Sequence, residues 1–377
     1  MKCDIIIPVW NQLESTKECA EAILRTTDYP YRLIIIDNGS DSETKNYLEE
    51  FKKKHAPDAI IICNEKNLGY VKAVNQGLRV SDAPYVCLLN NDTIPGAGWL
   101  GRLVFFAEKH KDIGLMNPLC DGHSDRTVDA YAKEVAANGD KYMEMNQCFG
   151  FCTLIKREVI DKVGYLDEAF GVGGYDDTDY SMRAGKAGYR CASVHSSYVY
   201  HKQHVSFKAA GAKDSFTVKG QQEYLKKWPR HLRIGVGFSI NEGTEDTKIK
   251  NILDAVLLLA REWCWVNFWI FGEELNGRDR IGSVGKKIGM PVHQNIKSNF
   301  MPAALPSFQL LLRLFERSFG TKRRKKYDAV FVDNANAAAM LKFFYPIHRT
   351  DIFLMTADNN IAAKARQIID GIRKKEK

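Results

Sequence analysis

An α/β fold built on a mostly parallel sheet, followed by a second and smaller α/β domain, is what this sequence predicts. Three features say so. Short apolar runs alternate with stretches of helical periodicity. Each of the first four apolar runs stops in a cluster of polar residues, as strands do at the ligand-bearing edge of an open sheet. After a polar stretch closed by Pro229, the alternation begins again.

Taken in order, Asp4-Ile5-Ile6-Ile7-Pro8-Val9 reads as a buried strand stopped at Pro8, whose nitrogen cannot donate to a ladder. Trp10-Asn11-Gln12 is the loop after it. Leu13, Cys19, Ala20, Ile23 and Leu24 recur at helical spacing until Tyr29-Pro30 breaks the pattern. Arg32 to Ile36 is a second strand, running into Asp37-Asn38-Gly39-Ser40; a carboxylate there suits a turn and also suits hydrogen bonds to a base or ribose. A helix over Ser42 to Lys54 leads to a third strand, Ala59 to Cys63, and to the loop Asn64 to Tyr70. The helix Val71 to Arg79 precedes Val86-Cys87-Leu88-Leu89, which ends in Asn90-Asn91-Asp92-Thr93. Asp92 at such an edge can hold Mg²⁺ or Mn²⁺ against a diphosphate. Asn and Asp also favour plain turns, and this stretch alone leaves both readings open.

Pro95 to Leu100 turns into a helix reaching about His110, and residues 112 to 146 read as polar and irregular. Phe149 to Ile155 is a strand and Arg157 to Val163 a helix. The glycines closing Gly164 to Gly174 suit a loop that moves or approaches a ligand closely. Next, Asp176, Asp177 and Asp179 put three carboxylates within one helical turn. Their repulsion must be offset by a metal, an arginine, a helix N-terminus or protonation; capping by Asp176 or Asp177 is the plainer role. Gly188 to Val194 is a last strand before Val199-Tyr200-His201-Lys202-Gln203-His204, where a single histidine is usually structural. Residues 1–210 thus form one domain, 211–232 a helical connector and 233–377 the smaller domain. In the latter, strands are expected at Arg233–Ile240, Cys264–Phe271, Lys326–Val332 and Asp351–Met355. Helices are expected at Asp246–Trp263, Leu305–Phe319, Ala337–Phe344 and Ala362–Lys374. No motif there attaches to chemistry. The basic run Thr321 to Lys326 reads as a solvated face, or as a contact for a membrane surface or anionic acceptor.

Composition bounds the reading. The chain of 377 residues, 45% hydrophobic and 27% charged, has room for about two globular domains. Its net charge of +8 suits anionic partners, but no basic run interleaved with aromatics singles out nucleic acid. Nine scattered cysteines, several inside apolar runs, suggest reduced buried thiols in a cytoplasmic protein, not a disulfide framework. Cys148 and Cys152 lack a second pair at zinc spacing. The N-terminus opens directly on a strand, with no signal-peptide pattern. The longest apolar stretch, Ile252 to Gly272, carries Arg261 and Glu262 near its middle and fails as a membrane span. A soluble protein, or one peripheral at the inner face of a membrane, is expected.

No G-x-G-x-x-G follows the first strand, which argues against a dinucleotide dehydrogenase, and no G-x-x-x-x-G-K-[ST] supports a P-loop kinase. Four other motifs come in a recognisable order. They are Ile-Ile-Ile-Pro-Val-Trp-Asn, Ile-Ile-Ile-Asp-Asn-Gly-Ser, Asn-Leu-Gly-Tyr-Val-Lys-Ala-Val-Asn-Gln-Gly and Leu-Leu-Asn-Asn-Asp-Thr. Together they resemble the family 2 glycosyltransferases of the GT-A fold, particularly the rhamnosyltransferase-like branch, over residues 3 to 207. The resemblance implies that Pro8, Val9, Trp10 and Asn11 frame the base and Asp37 binds the nucleoside. It also implies that Asn67, Gly69, Asn90 and Asn91 belong to the donor site. Asp92 matches the last position of the D-x-D-type motif and would ligate Mn²⁺ or Mg²⁺; the first position is Asn90, a departure. Asp176-Asp177-Thr178-Asp179 matches the Glu-Asp-x-Asp motif, one methylene short at Asp176, with Asp177 at the general-base position. His201 matches a histidine that completes the metal's coordination in several members; His204 is the weaker candidate.

The expected reaction is therefore inverting transfer of a sugar from a nucleotide-diphosphate donor to a hydroxyl of a glycan, lipid-linked glycan or protein. Two rivals stand beside it. A nucleotidyltransferase would carry a Gly-rich, Lys/Arg-bearing loop after the first strand, unlike Pro8-Val9-Trp10-Asn11. A non-catalytic nucleotide-sugar-binding module would use the same carboxylates only to ligate or cap.

Overall fold

The computed structural model describes residues 2–55, 57–202, 213–272, 274–302, 305–319, 326–355 and 361–375. The chain forms two compact units, Met1–Trp228 and Pro229–Lys377, with the boundary inside the segment read as a connector. His204 and residues 321–325 of the basic run lie outside the described residues.

In the first unit the elements run β1 (Cys3–Val9), α1 (Leu13–Thr26), β2 (Tyr31–Asp37), α2 (Ser42–His55), β3 (Ala59–Cys63), α3 (Tyr70–Val80) and β4 (Tyr85–Leu89). They continue as β5 (Thr93–Pro95), α4 (Trp99–Lys109), β6 (Ile113–Leu119), α5 (Val128–Ala136), β7 (Tyr142–Met145) and β8 (Cys152–Lys156). The unit closes with α6 (Arg157–Val163), α7 (Asp176–Lys186), β9 (Arg190–His201) and α8 (Lys213–Lys227). The sheet order is β3-β2-β1-β4-β8-β6-β9-β5, with β7 also paired to β9. Strands β1 to β4 are mutually parallel, and β6 and β9 share their direction across the antiparallel β8.

Burial on both faces explains the near-continuous isoleucine runs. Ile5, Ile7, Leu33 and Ile35 enter one core with Cys19 and Ile23 of α1, Leu48 and Phe51 of α2, and Trp99 and Leu103 of α4. On the opposite face α3 lies so close to β1 that a Cβ on Gly77 would stand 2.6 Å from Ile6 Cγ2. Buried Asp4 fastens β1 to its surroundings. It accepts two bonds from the Arg32 guanidinium, at 2.9 and 2.7 Å, and one from Ser81 Oγ at 2.7 Å. Burial pushes its carboxyl up, but those hydrogen bonds outweigh it and hold the group below the ordinary range.

Three expectations need correction. Pro8 does not stop the first strand: β1 runs on through Val9, and Pro8 stays in register with Ile36. The Val9 carbonyl accepts from Asn38 N on the β2 side, so the missing N–H of Pro8 faces β4, where pairing has already ended at Ile6 and Leu88. Residues 112 to 146 are not irregular but hold β6, α5 and β7. Gly114 and Pro118 disguised β6, and both sit where its register with β9 shifts. Finally, the separate segments at 188–194 and 199–204 are one strand, β9, that reaches from Arg190 to His201 without a break.

The second unit contains β10 (Arg233–Ser239), α9 (Asp246–Arg261), β11 (Trp265–Phe271), α10 (Glu274–Lys287), β12 (Ile296–Met301) and α11 (Pro306–Phe319). It ends with β13 (Ala329–Val332), α12 (Ala335–Phe343), α13 (Tyr345–His348), β14 (Asp351–Leu354) and α14 (Ile361–Lys375). Its strands are all parallel in the order β12-β11-β10-β13-β14. Ile249, Val256, Ala365 and Ile369 of α9 and α14 cover one face, and Leu310, Leu314 and Leu341 of α11 and α12 the other. Neither α10 nor β12 was expected from the sequence: β12 reads Ile-Lys-Ser-Asn-Phe-Met, which lacks an apolar run. Among the described residues no helix is long and apolar enough to cross a membrane, and the nine cysteines are all free thiols.

Candidate active site

The polar clusters that follow β1, β2, β3 and β4 collect along one edge of the sheet, because the four strands are parallel and all end there. After β1, Asn11 and Gln12 adopt left-handed φ values of 55° and 60°. Asn11 N donates to Ser40 Oγ at 3.0 Å, and the Asn11 carboxamide oxygen accepts from Asp41 N at 2.8 Å. Asp37 ends β2 with its side chain turned to its own loop, accepting from Ser40 N at 2.9 Å. Pro8, Val9, Trp10, Asn11 and Asp37 are thus neighbours.

Asn38, which sequence reasoning did not single out, organises the next loop. Its carboxamide donates to Asn67 Oδ1 at 2.9 Å and to Gly69 O at 3.3 Å, and accepts from Leu68 N at 3.0 Å. Asn67 Oδ1 also accepts from Gly69 N at 2.8 Å. Gly69 has φ 87°, and a Cβ there would fall 2.9 Å from Gly171 O. The only available signal was Asn38's place directly after Asp37.

Beyond β4 the turn Asn90–Thr93 is pinned by Thr93 Oγ1 donating to Asn90 O at 2.7 Å. Asn91 donates its amide to Thr16 Oγ1 of α1 at 3.0 Å, so its side chain serves packing. Asp92 is buried, and β5 pairs Thr93 with His201 of β9. That brings His201 Nε2 to 3.2 Å from Asp92 Oδ1, though off the hydrogen-bonding direction. Among the described residues, neither Asp92 Oδ1 nor Asn90 Oδ1, both buried oxygens, has a hydrogen-bond partner. Orphaned carboxylate and carboxamide oxygens beside an imidazole nitrogen are the donor set a divalent cation takes, so these residues fit the expected metal. Among the described residues no third His, Cys, Asp or Glu joins them.

The Asp92–His201 pair connects to the second carboxylate cluster through the turn before β8. Phe151 stacks on His201 with ring centroids 5.3 Å apart, and its carbonyl accepts from Asn90 N at 2.9 Å. The adjacent Gly150 N donates to Asp177 Oδ2 at 3.2 Å, while Gly150 O accepts from Tyr70 OH at 3.2 Å. Burial raises the Tyr70 phenol, and the charges of Asp176, Asp177 and Asp92 add to the rise. Tyr70 therefore stands among all three carboxylates, a role its place in the Asn-Leu-Gly-Tyr motif alone did not reveal.

The three acids of α7 meet different fates. Asp176 is buried, accepts Gly174 N at 2.8 Å, and is pushed up to about 7 by burial and then by the charge of Asp177. Asp177 is partly buried and accepts from Gly150 N, from Thr178 N at 2.7 Å and from Thr178 Oγ1 at 3.3 Å. Burial raises it too, against those hydrogen bonds. Asp179 is fully buried and paired with Arg183 and Lys227.

Residues 4–164 match the family model described as Glycosyl transferase family 2. The first unit therefore carries a glycosyl transferase family 2 domain. Curated relatives agree. Glycosyltransferase AglE of Haloferax volcanii is 27% identical over 203 residues, covering 51% of this chain and 64% of AglE. The Bacillus subtilis glycosyltransferase YwdF is 26% identical, covering 52% of this chain and 73% of YwdF. Poly-beta-1,6-N-acetyl-D-glucosamine synthase of Staphylococcus epidermidis is 26% identical, covering 43% of this chain and 41% of the synthase. The chain thus spans under two thirds of the length of AglE and under half that of the synthase. The strand-end loops after β1 to β4 all fall inside the family 2 match, whereas Asp176, Asp177 and His201 lie beyond its end at residue 164.

Proposed function

We propose that the first unit transfers a hexosyl or deoxyhexosyl group from a nucleotide-diphosphate sugar to a hydroxyl of a glycan, lipid-linked glycan or protein, with inversion. The observation that carries this is the short path Asp92–His201–Phe151–Gly150–Asp177 at the strand edge of a glycosyl transferase family 2 domain. It sets a metal-type pair and an accessible carboxylate on either side of one turn. Asp37, Asn11 and the loop ordered by Asn38 and Asn67 would hold the nucleoside. Asp92 and His201 would hold Mn²⁺ or Mg²⁺, which when bound neutralises charge on the diphosphate leaving group.

Asp177 would take the acceptor's hydroxyl proton as that oxygen attacks the anomeric carbon from the face opposite the leaving group. A single displacement inverts the centre, by the logic that separates inverting from retaining hydrolases. The Gly150 N–H would keep the carboxylate aimed. Asp176, buried beside it, raises its neighbour's basicity by charge repulsion when ionised.

The test is incubation of the full chain with a panel of nucleotide sugars, Mn²⁺ and candidate acceptors, following nucleotide release and product anomeric configuration. Transfer with inversion, lost in Asp92→Asn at low Mn²⁺, is expected. Retained configuration, or release of pyrophosphate in place of nucleotide, would overturn the reading.

A further inference from the structure

The last acid of the α7 run is fully buried, and three donors converge on it. Asp179 Oδ1 accepts from Lys227 Nζ at 2.5 Å and Trp228 Nε1 at 2.9 Å, and Oδ2 accepts from Arg183 Nε at 2.8 Å. Arg183 directs its remaining nitrogens to Val163 O at 3.0 Å and Tyr165 O at 2.9 Å. Lys227 reaches Asp167 as well, at 2.7 Å. Two cations and an indole pair and hydrogen-bond this buried carboxylate on both oxygens, the condition under which such a charge is tolerated in a core.

Lys227 and Trp228 lie at the end of α8, whose body rests on the loop leading into the reactive carboxylates. A Cβ on Gly220 would stand 2.2 Å from Gly174 O, so helix and loop touch backbone to backbone. Gly174 N is the donor to Asp176. Tyr224 packs on Tyr175, ring centroids 5.3 Å apart, and its hydroxyl lies 3.1 Å from Met182 Sδ. Tyr175 precedes Asp176 directly and is held at φ 68°, a left-handed conformation disfavoured for an aromatic residue. At its other end the loop is held from the donor side, where Gly171 O accepts from Val71 N at 3.2 Å.

We propose that Asp179, Lys227 and Trp228 form a clasp that presses α8 onto the 171–174 loop and thereby positions Asp176 and Asp177. Asp179 is a positioning residue and not an alternative base. The proposal rests on the reading of Asp177 as the general base, and its test separates the two.

The full chain is compared with Trp228→Phe, which removes one hydrogen bond, with Gly220→Ala, which wedges helix from loop, and with Lys227→Met and Lys227→Arg. Amide hydrogen exchange over residues 171–178 reports the clasp without any turnover. The expected result is faster exchange in Trp228→Phe, Gly220→Ala and Lys227→Met. With it, kcat falls by about 10- to 100-fold, the range a small misplacement costs. The acid limb of the pH–rate profile shifts, donor-nucleotide affinity is retained, and Lys227→Arg restores most of the loss. Unchanged exchange in Gly220→Ala and Trp228→Phe would overturn the clasp. Faster exchange with wild-type kcat and pH profile would overturn its link to the carboxylates. Full turnover in Asp177→Asn would instead remove the base assignment, and it leaves the exchange result standing.

Discussion

Asp177 and Asp176 are adjacent acids set in different surroundings. Asp177 is reachable and hydrogen-bonded by Gly150 and Thr178, so Asp177→Asn preserves size and most contacts but cannot accept a proton. Turnover should drop by about 10² to 10⁴-fold, the usual worth of a general base, with nucleotide affinity retained by calorimetry. Equal loss of nucleotide affinity would reassign the residue to the diphosphate. Asp176 offers a pH test. Its carboxyl stands at about 7 in the folded protein, raised from 3.8 by burial and by Asp177. A raised acid binds its proton more tightly when folded, so the stability it contributes is complete below about pH 4. That stability is lost as pH climbs through about 7. Thermal melts should show Asp176→Asn gaining on the wild type at pH 8 but not at pH 4. Parallel melting curves at both values would contradict the burial argument. Because both acids are raised, turnover should fall on acidification at a pH above the ordinary carboxylate range.

At the scale of elements, the site depends on α3 lying flat against β1 and β2, since its N-terminus presents Gly69 and Tyr70. Gly77 makes that approach feasible: a Cβ would meet Ile6 Cγ2 at 2.6 Å and Ile36 Cδ1 at 3.1 Å. Gly77→Ala gains helix propensity, roughly 1 kcal/mol, but must push the helix from the sheet, and overpacking costs about 1–3 kcal/mol. Net destabilisation with weakened nucleotide binding is expected in urea titrations. A more stable variant would show that the sheet yields and the helix does not. The same logic explains β5. Three residues long, it is held by pairing Thr93 with His201, and this short ladder brings Asp92 beside an imidazole more than a hundred residues away in sequence.

For the whole molecule, the division at Trp228 and Pro229 assigns α8 to the first unit. A chain ended after Trp228 should keep both nucleotide binding and the positioning of the α7 carboxylates. A chain ended after Lys202 loses Lys227 and Trp228 and leaves the buried charge of Asp179 to Arg183 alone; removing a partner from a buried charge typically costs about 3–5 kcal/mol. Solubility, melting temperature and nucleotide affinity of the two truncations, measured side by side, check this. If the shorter chain melted like the longer one, α8 would be an accessory to the fold. The second unit supplies an all-parallel sheet with both faces covered, and none of the site residues discussed above comes from it.

Local sequence determined the alternation of strands and helices and the polar strand ends. It also determined the order of the family 2 motifs, because backbone preferences and apolar periodicity act over a few residues. It marked Asp37, Asp92, Asp177 and His201 as residues of interest. It did not show that Asn91 is turned toward Thr16, that Asn38 orders the Asn67 loop, or that Tyr70 stands among three carboxylates. The strand β6 escaped notice because Gly114 and Pro118 break its local signal, while pairing with β8 and β9 rescues it. Only the tertiary structure decided which acid of α7 is reachable, which is pushed up by burial and its neighbour's charge, and which is neutralised. Those differences come from burial, from the charge of Lys227 and from the Gly150 N–H, which lie far along the chain and near only after folding.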